Sequence, residues 1–252
     1  MKVTKNTNNQ LNTIVAGGLS GLGKAVAQNF SQKGYNVGIF DIKKDDSKSV
    51  YHVDISDSKN LEDAFEAFLK IHRRIDCVVN CAGISILAKI YNESLQRPVS
   101  YNKIESIFKT NVFGTFNMVR LATKFMIKNE GENPKGIIPV IINTSSSLAD
   151  EGNSAQCLYS ASKHAINSMT VPLAKELSEY GLRAVTIAPG LFESERLIRN
   201  QKFIPFLSSL NLAVNRLGKP HEFSDLVHDV LMNPMLNGCI IKLDAGAKGI
   251  DS

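Results

Sequence analysis

Three glycines constrain this chain more than any other feature. Gly17, Gly21 and Gly23 stand in the pattern G-x-x-x-G-x-G, between a β-branched run at residues 13–16 and an amphipathic stretch at residues 21–32. A strand that turns at once into a helix needs residues without a Cβ where the backbone doubles back. The helix then presents unpaired N–H groups and the positive end of its dipole at the turn, where a phosphate binds. A glycine-rich turn can also do no more than join strand to helix, so the motif alone is weak. Its placement between a strand and a helix gives it weight. Ser20 and Leu22 complete the turn and join the three glycines as candidate nucleotide contacts.

The alternation continues along the chain. Apolar, β-branched runs at residues 36–40, 50–53, 76–79, 137–143, 184–187 and 238–243 read as further strands, with Pro139 interrupting the fifth. Residues 61–71 place Leu61, Ala64, Phe65 and Phe68 at helical spacing. Residues 104–128 read as two helices broken near Asn111 and Gly114, and residues 159–180 as one long helix. Continuous apolar strands separated by helices imply a parallel sheet covered on both faces. Right-handed crossovers make it doubly wound. The expected fold class is therefore α/β, a single-domain Rossmann fold over residues 1–252 with a doubly wound seven-stranded parallel sheet. No Pro/Gly/Ser-rich linker, internal repeat or low-complexity tract divides it.

Charge and cysteine content narrow the function classes. The net charge of +5 is spread out, and the densest basic stretch, Lys43, Lys44 and Lys48, is interrupted by Asp45 and Asp46. That reads as a solvated loop, not as the one-sided stripe a nucleic acid needs. No apolar run reaches the length of a membrane span. Cys77, Cys81, Cys157 and Cys239 form no C-x-x-C pair and have no histidine pair at metal-ligand spacing, so no metal is expected. Free thiols suit a reducing compartment. The polar first 12 residues lack the pattern of a secretory or transit signal. A cytoplasmic location is expected, with the mitochondrial matrix as the alternative.

In a doubly wound sheet the ligand sits beyond the carboxyl ends of the strands, so the chemistry should lie there. Asp41 ends the second strand, where a carboxylate accepts hydrogen bonds from ribose hydroxyls and repels a 2′-phosphate; this favours NAD over NADP, although nearby Lys43 leaves room for the latter. Asp54 and Ile55 follow the third strand and are placed to border an adenine; alone, Asp54 would read as a turn or cap residue. Asn80, Cys81, Ala82 and Gly83 follow the fourth strand, and their small side chains let backbone pass close to a cofactor.

Tyr159 and Lys163 are i and i+4 in the longest helix and share a face. A phenol titrates near 10, whereas an acid/base catalyst works near neutrality. A neighbouring ammonium lowers the phenol, and a shift of about three units corresponds to about 4 kcal/mol. Ser146, just past the fifth strand, can hold a substrate oxygen beside that phenol; Ser145 and Ser147 compete for the role. Asn111 sits at the helix break, where its amide can hold a water linking Lys163 to solvent; a plain helix cap is the alternative.

Taken together, Gly17/Gly21/Gly23, Asp41, the Asn80-Cys-Ala-Gly83 run, Asn111, Ser146, Tyr159 and Lys163 resemble the short-chain dehydrogenase/reductase family over nearly the whole chain. The resemblance implies an NAD-dependent oxidoreductase in which Tyr159 is the acid/base and also contacts the cofactor. It further implies that Pro189, Gly190, Leu191 and Phe192 border the nicotinamide, that Gln156 faces substrate, and that residues 193–217 form a substrate lid. A homotetramer is implied, with residues 102–129 and 159–180 at the subunit contacts. Within the family, the stretches around Val79, Gly114, Ile141, Tyr159 and Thr186, and an extra segment at about residues 92–102, resemble members acting on 3-hydroxyacyl-CoA. A hydroxysteroid or other lipophilic alcohol is the alternative substrate. The reading from another class is an NAD-loaded scaffold protein, against which the complete Ser/Tyr/Lys set argues. Ala16 replaces the family's usual Thr, Asn153-Ser-Ala155 replaces a more glycine-containing stretch, and the lid matches poorly after Phe192.

Overall fold

The computed structural model describes residues 10–130, 136–194, 214 and 216–247. Seven parallel strands form one sheet: β1 Asn12–Ala16, β2 Asn36–Asp41, β3 Val50–His52, β4 Cys77–Asn80, β7 Val140–Thr144, β8 Arg183–Pro189 and β9 Ile240–Leu243. Their spatial order is β3-β2-β1-β4-β7-β8-β9. The order reverses between β1 and β4, and this switch point opens the crevice that holds ligands in such sheets. β1, β4, β7 and β8 are buried along their whole length, which is why they read as unbroken apolar runs.

Two apolar layers cover the sheet. On one face, α2 Ser58–His72, α4 Gly114–Met126 and α6 Cys157–Ser178 pack Phe65, Phe68, Met118 and Leu177 against Phe40 and Ile141. On the other, α1 Gly21–Gln32 and α7 Pro220–Met232 pack Val26, Phe30, Phe223 and Val227 against Val15 and Val185. Each fully buried Phe or Val contributes about 1.5–3 kcal/mol. Among the described residues, no helix is long and apolar enough to cross a membrane.

Several elements differ from the sequence reading. The expected helix break is instead a π-helical turn, Lys109–Phe113, which carries α3 Tyr101–Phe108 into α4 without interruption. The fifth large strand starts at Val140, because Pro139 has no N–H to give the ladder. α6 begins at Cys157 and runs through Pro172. The extra segment holds a short antiparallel ribbon, β5 Tyr91–Asn92 with β6 Arg97–Pro98. α5, Leu148–Glu151, and α7 are absent from the sequence reading. α7 has a visible signature: Pro220 opens it, Glu222 accepts from Lys219 N at 2.7 Å, and Phe223, Val227 and Val230 face the sheet.

The end of α7 is tied to the sheet by one buried cation. The Arg183 guanidinium donates to the carbonyls of Ile138, Val230, Leu231, Asn233 and Leu236 at 2.9–3.3 Å. Three of these acceptors lie at the negative end of the helix, where a cation is stabilised.

Candidate active site

The nucleotide end of the crevice is built from backbone. Gly17 has φ +75°, and a Cβ there would lie 2.9 Å from Ala82 N. A Cβ on Gly23 would fall 2.2 Å from Gly17 O. The turn is therefore closed on itself and seated on the residues that follow β4. Asp41 is buried; its Oδ2 accepts from Leu19 N at 3.0 Å and its Oδ1 from Lys43 N at 2.9 Å. The carboxylate thus braces the glycine turn, a role the sequence reading did not give it. Ser20 is the N-cap of α1, with its hydroxyl uninvolved in capping.

Asp54 and Ile55 lie in the loop between β3 and α2. Asp54 Oδ1 accepts from Ser56 N at 2.9 Å and Ser56 Oγ at 2.7 Å, and Ile55 is buried. Burial pushes the Cys81 thiol up to about 11, and Thr144 Oγ1 donates to its sulfur at 3.4 Å, which suits packing and not nucleophilic attack. A Cβ on Gly83 would lie 3.2 Å from Asn111 Oδ1 and 3.5 Å from Lys163 Nζ. The turn after β4 therefore passes from the nucleotide end straight over the reacting groups. A tight backbone cradle, the free N-terminus of α1 and a carboxylate at the end of β2 together fit a dinucleotide.

The reaction end is built from side chains that are buried or half-buried. Tyr159 and Lys163 lie one turn apart at the start of α6, with Lys163 Nζ 5.9 Å from the Tyr159 ring centroid. Lys163 is gripped twice by the end of β7: its Nζ donates to Thr144 O at 2.8 Å, and Ser145 Oγ donates to its carbonyl at 3.0 Å. Burial pushes Lys163 down to about 8. Burial also raises the Tyr159 phenol, and a hydrogen bond with Ser146 draws it part of the way back. The phenol therefore lies above its ordinary value, where a lowered one was expected. Desolvation sets both directions, because the same low-polarity surroundings disfavour phenolate and ammonium alike.

The serine run separates into three jobs. Ser146 meets Tyr159, Ser145 supports Lys163, and Ser147 caps α5 while its N–H donates to Pro189 O at 2.9 Å. Asn111 is fully buried in the π turn. Its Nδ2 donates to Ile84 O at 2.9 Å and Ser162 Oγ at 3.0 Å, and its Oδ1 accepts from Ile84 N at 2.8 Å. Both amide hydrogens are engaged, so the amide has no donor left for the expected water. Instead it clamps the strand-end loop to α6, because Ser162 Oγ donates onward to Tyr159 O at 2.7 Å.

Gln156 caps α6, and its Oε1 is buried without a partner among the described residues. Just before it, Ala155 holds φ +63° and accepts from Ala88 N at 2.8 Å. Gly190 N donates to Leu243 O at 2.9 Å. Phe192 puts its ring into the core, edge-to-face with Phe223 at 6.2 Å. Most of the expected lid lies outside the described residues; its two feet meet where Glu193 N donates to Gly218 O at 2.8 Å and Gly218 N to Leu191 O at 2.9 Å. Thr144 and Ile84 were missed from sequence because they act here through main-chain atoms, which leave no compositional trace, and Ser162 because a lone helical hydroxyl does not show which backbone it braces.

This fold and this Ser/Tyr/Lys cluster define a dehydrogenase acting on CH–OH groups, and the chain belongs to the short chain dehydrogenase family, whose family model matches residues 12–203. Its relatives include the 3-hydroxyacyl-CoA dehydrogenase type-2 of Homo sapiens, 36% identical over 93% of this chain and 94% of that protein. The ipsdienol dehydrogenase of Ips pini is 34% identical over 93% of this chain and 96% of that protein. Among solved structures, the 3-hydroxyacyl-CoA dehydrogenase type-2 from Mycobacterium avium superposes with a TM-score of 0.86 at 24% identity, covering 98% of this chain and all (100%) of that one. The 3-ketoacyl-(acyl-carrier-protein) reductase from Brucella melitensis, solved with NADH, gives 0.79 at 26% identity over 94% of this chain and 98% of its own. The family uses a nicotinamide cofactor.

Proposed function

We propose that the chain is an NAD-dependent oxidoreductase that interconverts a secondary alcohol and its ketone, with 3-hydroxyacyl-CoA and 3-ketoacyl-CoA as the favoured pair. The observation that carries this reading is the contiguous set of buried Ser146 and Lys163 and half-buried Tyr159 next to the glycine turn. Gly17, Ser20, Gly21, Leu22 and Gly23 hold the pyrophosphate, and Asp41 favours the free ribose hydroxyl of NAD over the phosphate of NADP. Cys81, Ala82, Gly83, Pro189, Gly190 and Phe192 border the rest of the cofactor. Bound nicotinamide supplies the acceptor or donor of hydride and, when oxidised, a positive charge near the phenol.

Ser146 orients the substrate oxygen, and Gln156 borders the substrate. Tyr159 Oη takes the hydroxyl proton in oxidation and returns it in reduction. Lys163 supports the phenolate and holds the nicotinamide ribose. Asn111 keeps the loop after β4 and the first turn of α6 in register; a proton path to solvent then runs by way of Lys163.

Sequence identity to 3-hydroxyacyl-CoA dehydrogenases over nearly the full length supports the acyl-CoA substrate. The comparable identity to ipsdienol dehydrogenase supports a lipophilic alcohol as the second reading. Exposed Phe113 and Phe116 on the π turn and α4, and Val171 on α6, suit the subunit contacts of a homotetramer. Free cysteines suit a cytoplasmic location. Purified protein with NADH or NADPH and a panel of acetoacetyl-CoA and ketosteroids tests the reading by loss of reduced-cofactor absorbance. Turnover of acetoacetyl-CoA with NADH is expected; turnover confined to ketosteroids, or to NADPH, contradicts it.

A further inference from the structure

One segment stands off the body of the protein and is apolar. Of residues 87–103, all but Ala88 and Val99 are exposed. They include Leu87, Ile90, Tyr91, Leu95 and Tyr101, each 48–70% exposed and together the densest group of exposed large apolar side chains among the described residues. The segment folds back on itself as the ribbon of β5 and β6, with Tyr91 opposite Pro98 and Val99 N donating to Ile90 O at 2.8 Å. Ala88 N donates to Ala155 O at 2.8 Å and ties the ribbon to the loop before α6.

A two-stranded ribbon is marginal in water by itself. Here its turn is locked. Asn92 Oδ1 accepts from Leu95 N at 3.0 Å, and Tyr91 Oη donates to Gln96 Oε1 at 3.2 Å. Glu93 O accepts from Gln96 N at 3.2 Å and from Gln96 Nε2 at 2.6 Å. Gln96 sits at φ +46°, a left-handed conformation that is costly for a residue with a side chain. These bonds hold Leu95 at the tip of the ribbon, in water. Exposed apolar groups gathered in this way mark a surface that something else covers.

The ribbon's own chemistry selects the covering. An added strand is poorly served, because β6 is two residues long and one of them, Pro98, has no N–H. Both strands are exposed, so the ribbon can enter a fluid layer but encloses no ligand. Tyrosine suits the boundary of lipid and water, where its ring is buried and its hydroxyl stays wet. Lys89, Arg97 and Lys103 outnumber Glu93 between residues 87 and 103, which complements an anionic surface. We propose that this ribbon docks the protein on the interface of an anionic lipid bilayer, with Leu95 entering the acyl boundary and Arg97 meeting the headgroups. Docking of this kind lays the protein on the membrane without a spanning segment.

Co-sedimentation of the full chain with vesicles tests this, using phosphatidylcholine alone and an equal mixture with phosphatidylglycerol. Wild type should bind the anionic vesicles at least about tenfold more tightly than the neutral ones, and added salt should narrow the difference. Leu95→Ser should weaken binding to anionic vesicles about tenfold, the scale of burying one leucine side chain. Arg97→Gln should weaken it about fivefold while leaving neutral vesicles unaffected, and it carries the test if Leu95→Ser does not fold. Both variants should keep the wild-type rate of acetoacetyl-CoA reduction within about twofold, since neither residue touches the reaction end. Wild type that ignores anionic vesicles, or binds both kinds equally, overturns the proposal. So do variants that bind like wild type, or a ribbon whose Leu95→Ser change alters the sedimentation coefficient without lipid, which would place a second copy of the chain on this surface.

Discussion

The two ends of the crevice are made of different material. At the nucleotide end the ligand surface is main chain: Gly17 on Ala82, Gly23 on Gly17, and Asp41 holding Leu19 N from behind. At the reaction end it is side chain: Ser146 on Tyr159, Lys163 on Thr144 O, and Asn111 on Ile84 and Ser162. Asp41 apart, the first end should tolerate changes of side-chain chemistry and fail on added volume. The second should tolerate added or lost volume better than a change of charge or proton. Mutations at the first should act on cofactor binding, and at the second on turnover.

Gly23→Val breaks the comparison most severely. Its Cβ meets Gly17 O at 2.2 Å, and neither backbone segment can yield. NAD binding should fall at least about 100-fold, with a stability loss of about 3 kcal/mol or more. Calorimetry and thermal unfolding check this. Comparable losses from Ser20→Ala would erase the distinction drawn for the backbone end.

Lys163→Met sharpens it, because activity and stability should move in opposite directions. Turnover should fall about 10³-fold, within the range for loss of acid/base support. The folded protein holds Lys163 near 8, against 10.5 for an ordinary lysine. Between those values the unfolded chain binds more protons than the folded one, so this group makes stability rise with pH through that window. Below pH 8 the folded state bears the full cost of the buried cation, about 3 kcal/mol. Lys163→Met removes that cost while losing the bond to Thr144 O. Its Tm at pH 7 should exceed wild type by several degrees, at about 2–4 °C per kcal/mol, and the gap should close as pH rises toward 10.5. Thermal unfolding across pH 6–11 is the check; a variant less stable at every pH would contradict it.

Asp41→Asn should weaken NAD about tenfold and narrow the preference over NADP, read from binding of the two cofactors side by side. The smallest effect is expected at Ala155, whose φ of +63° suits glycine. Ala155→Gly should stabilise the fold by about 1 kcal/mol, with turnover changed less than about twofold. A loss of stability would show that the strain is absent.

These differences also explain what was legible from sequence. The parallel sheet followed from apolar runs that must be buried on both faces, and the glycine turn from residues that only a tight turn requires. Asn111 stood out because helical periodicity fails around it, although its π turn looked like a break. α7 was overlooked despite Pro220, Glu222 and apolar residues at helical spacing, since it follows a segment that does not match the family. The left-handed Ala155 carries no signal, because alanine gives no warning of a positive φ. The direction of the Tyr159 shift was not legible for a physical reason: spacing shows that Lys163 is near, but burial, which a sequence does not display, raises the phenol.

The most direct test is Tyr159→Phe, which deletes one oxygen and leaves the backbone cradle untouched. NADH-dependent reduction of acetoacetyl-CoA should fall about 10³-fold or more while the Kd for NAD stays within about threefold of wild type. Turnover near the wild-type rate in that variant, with NAD binding intact, would contradict the account.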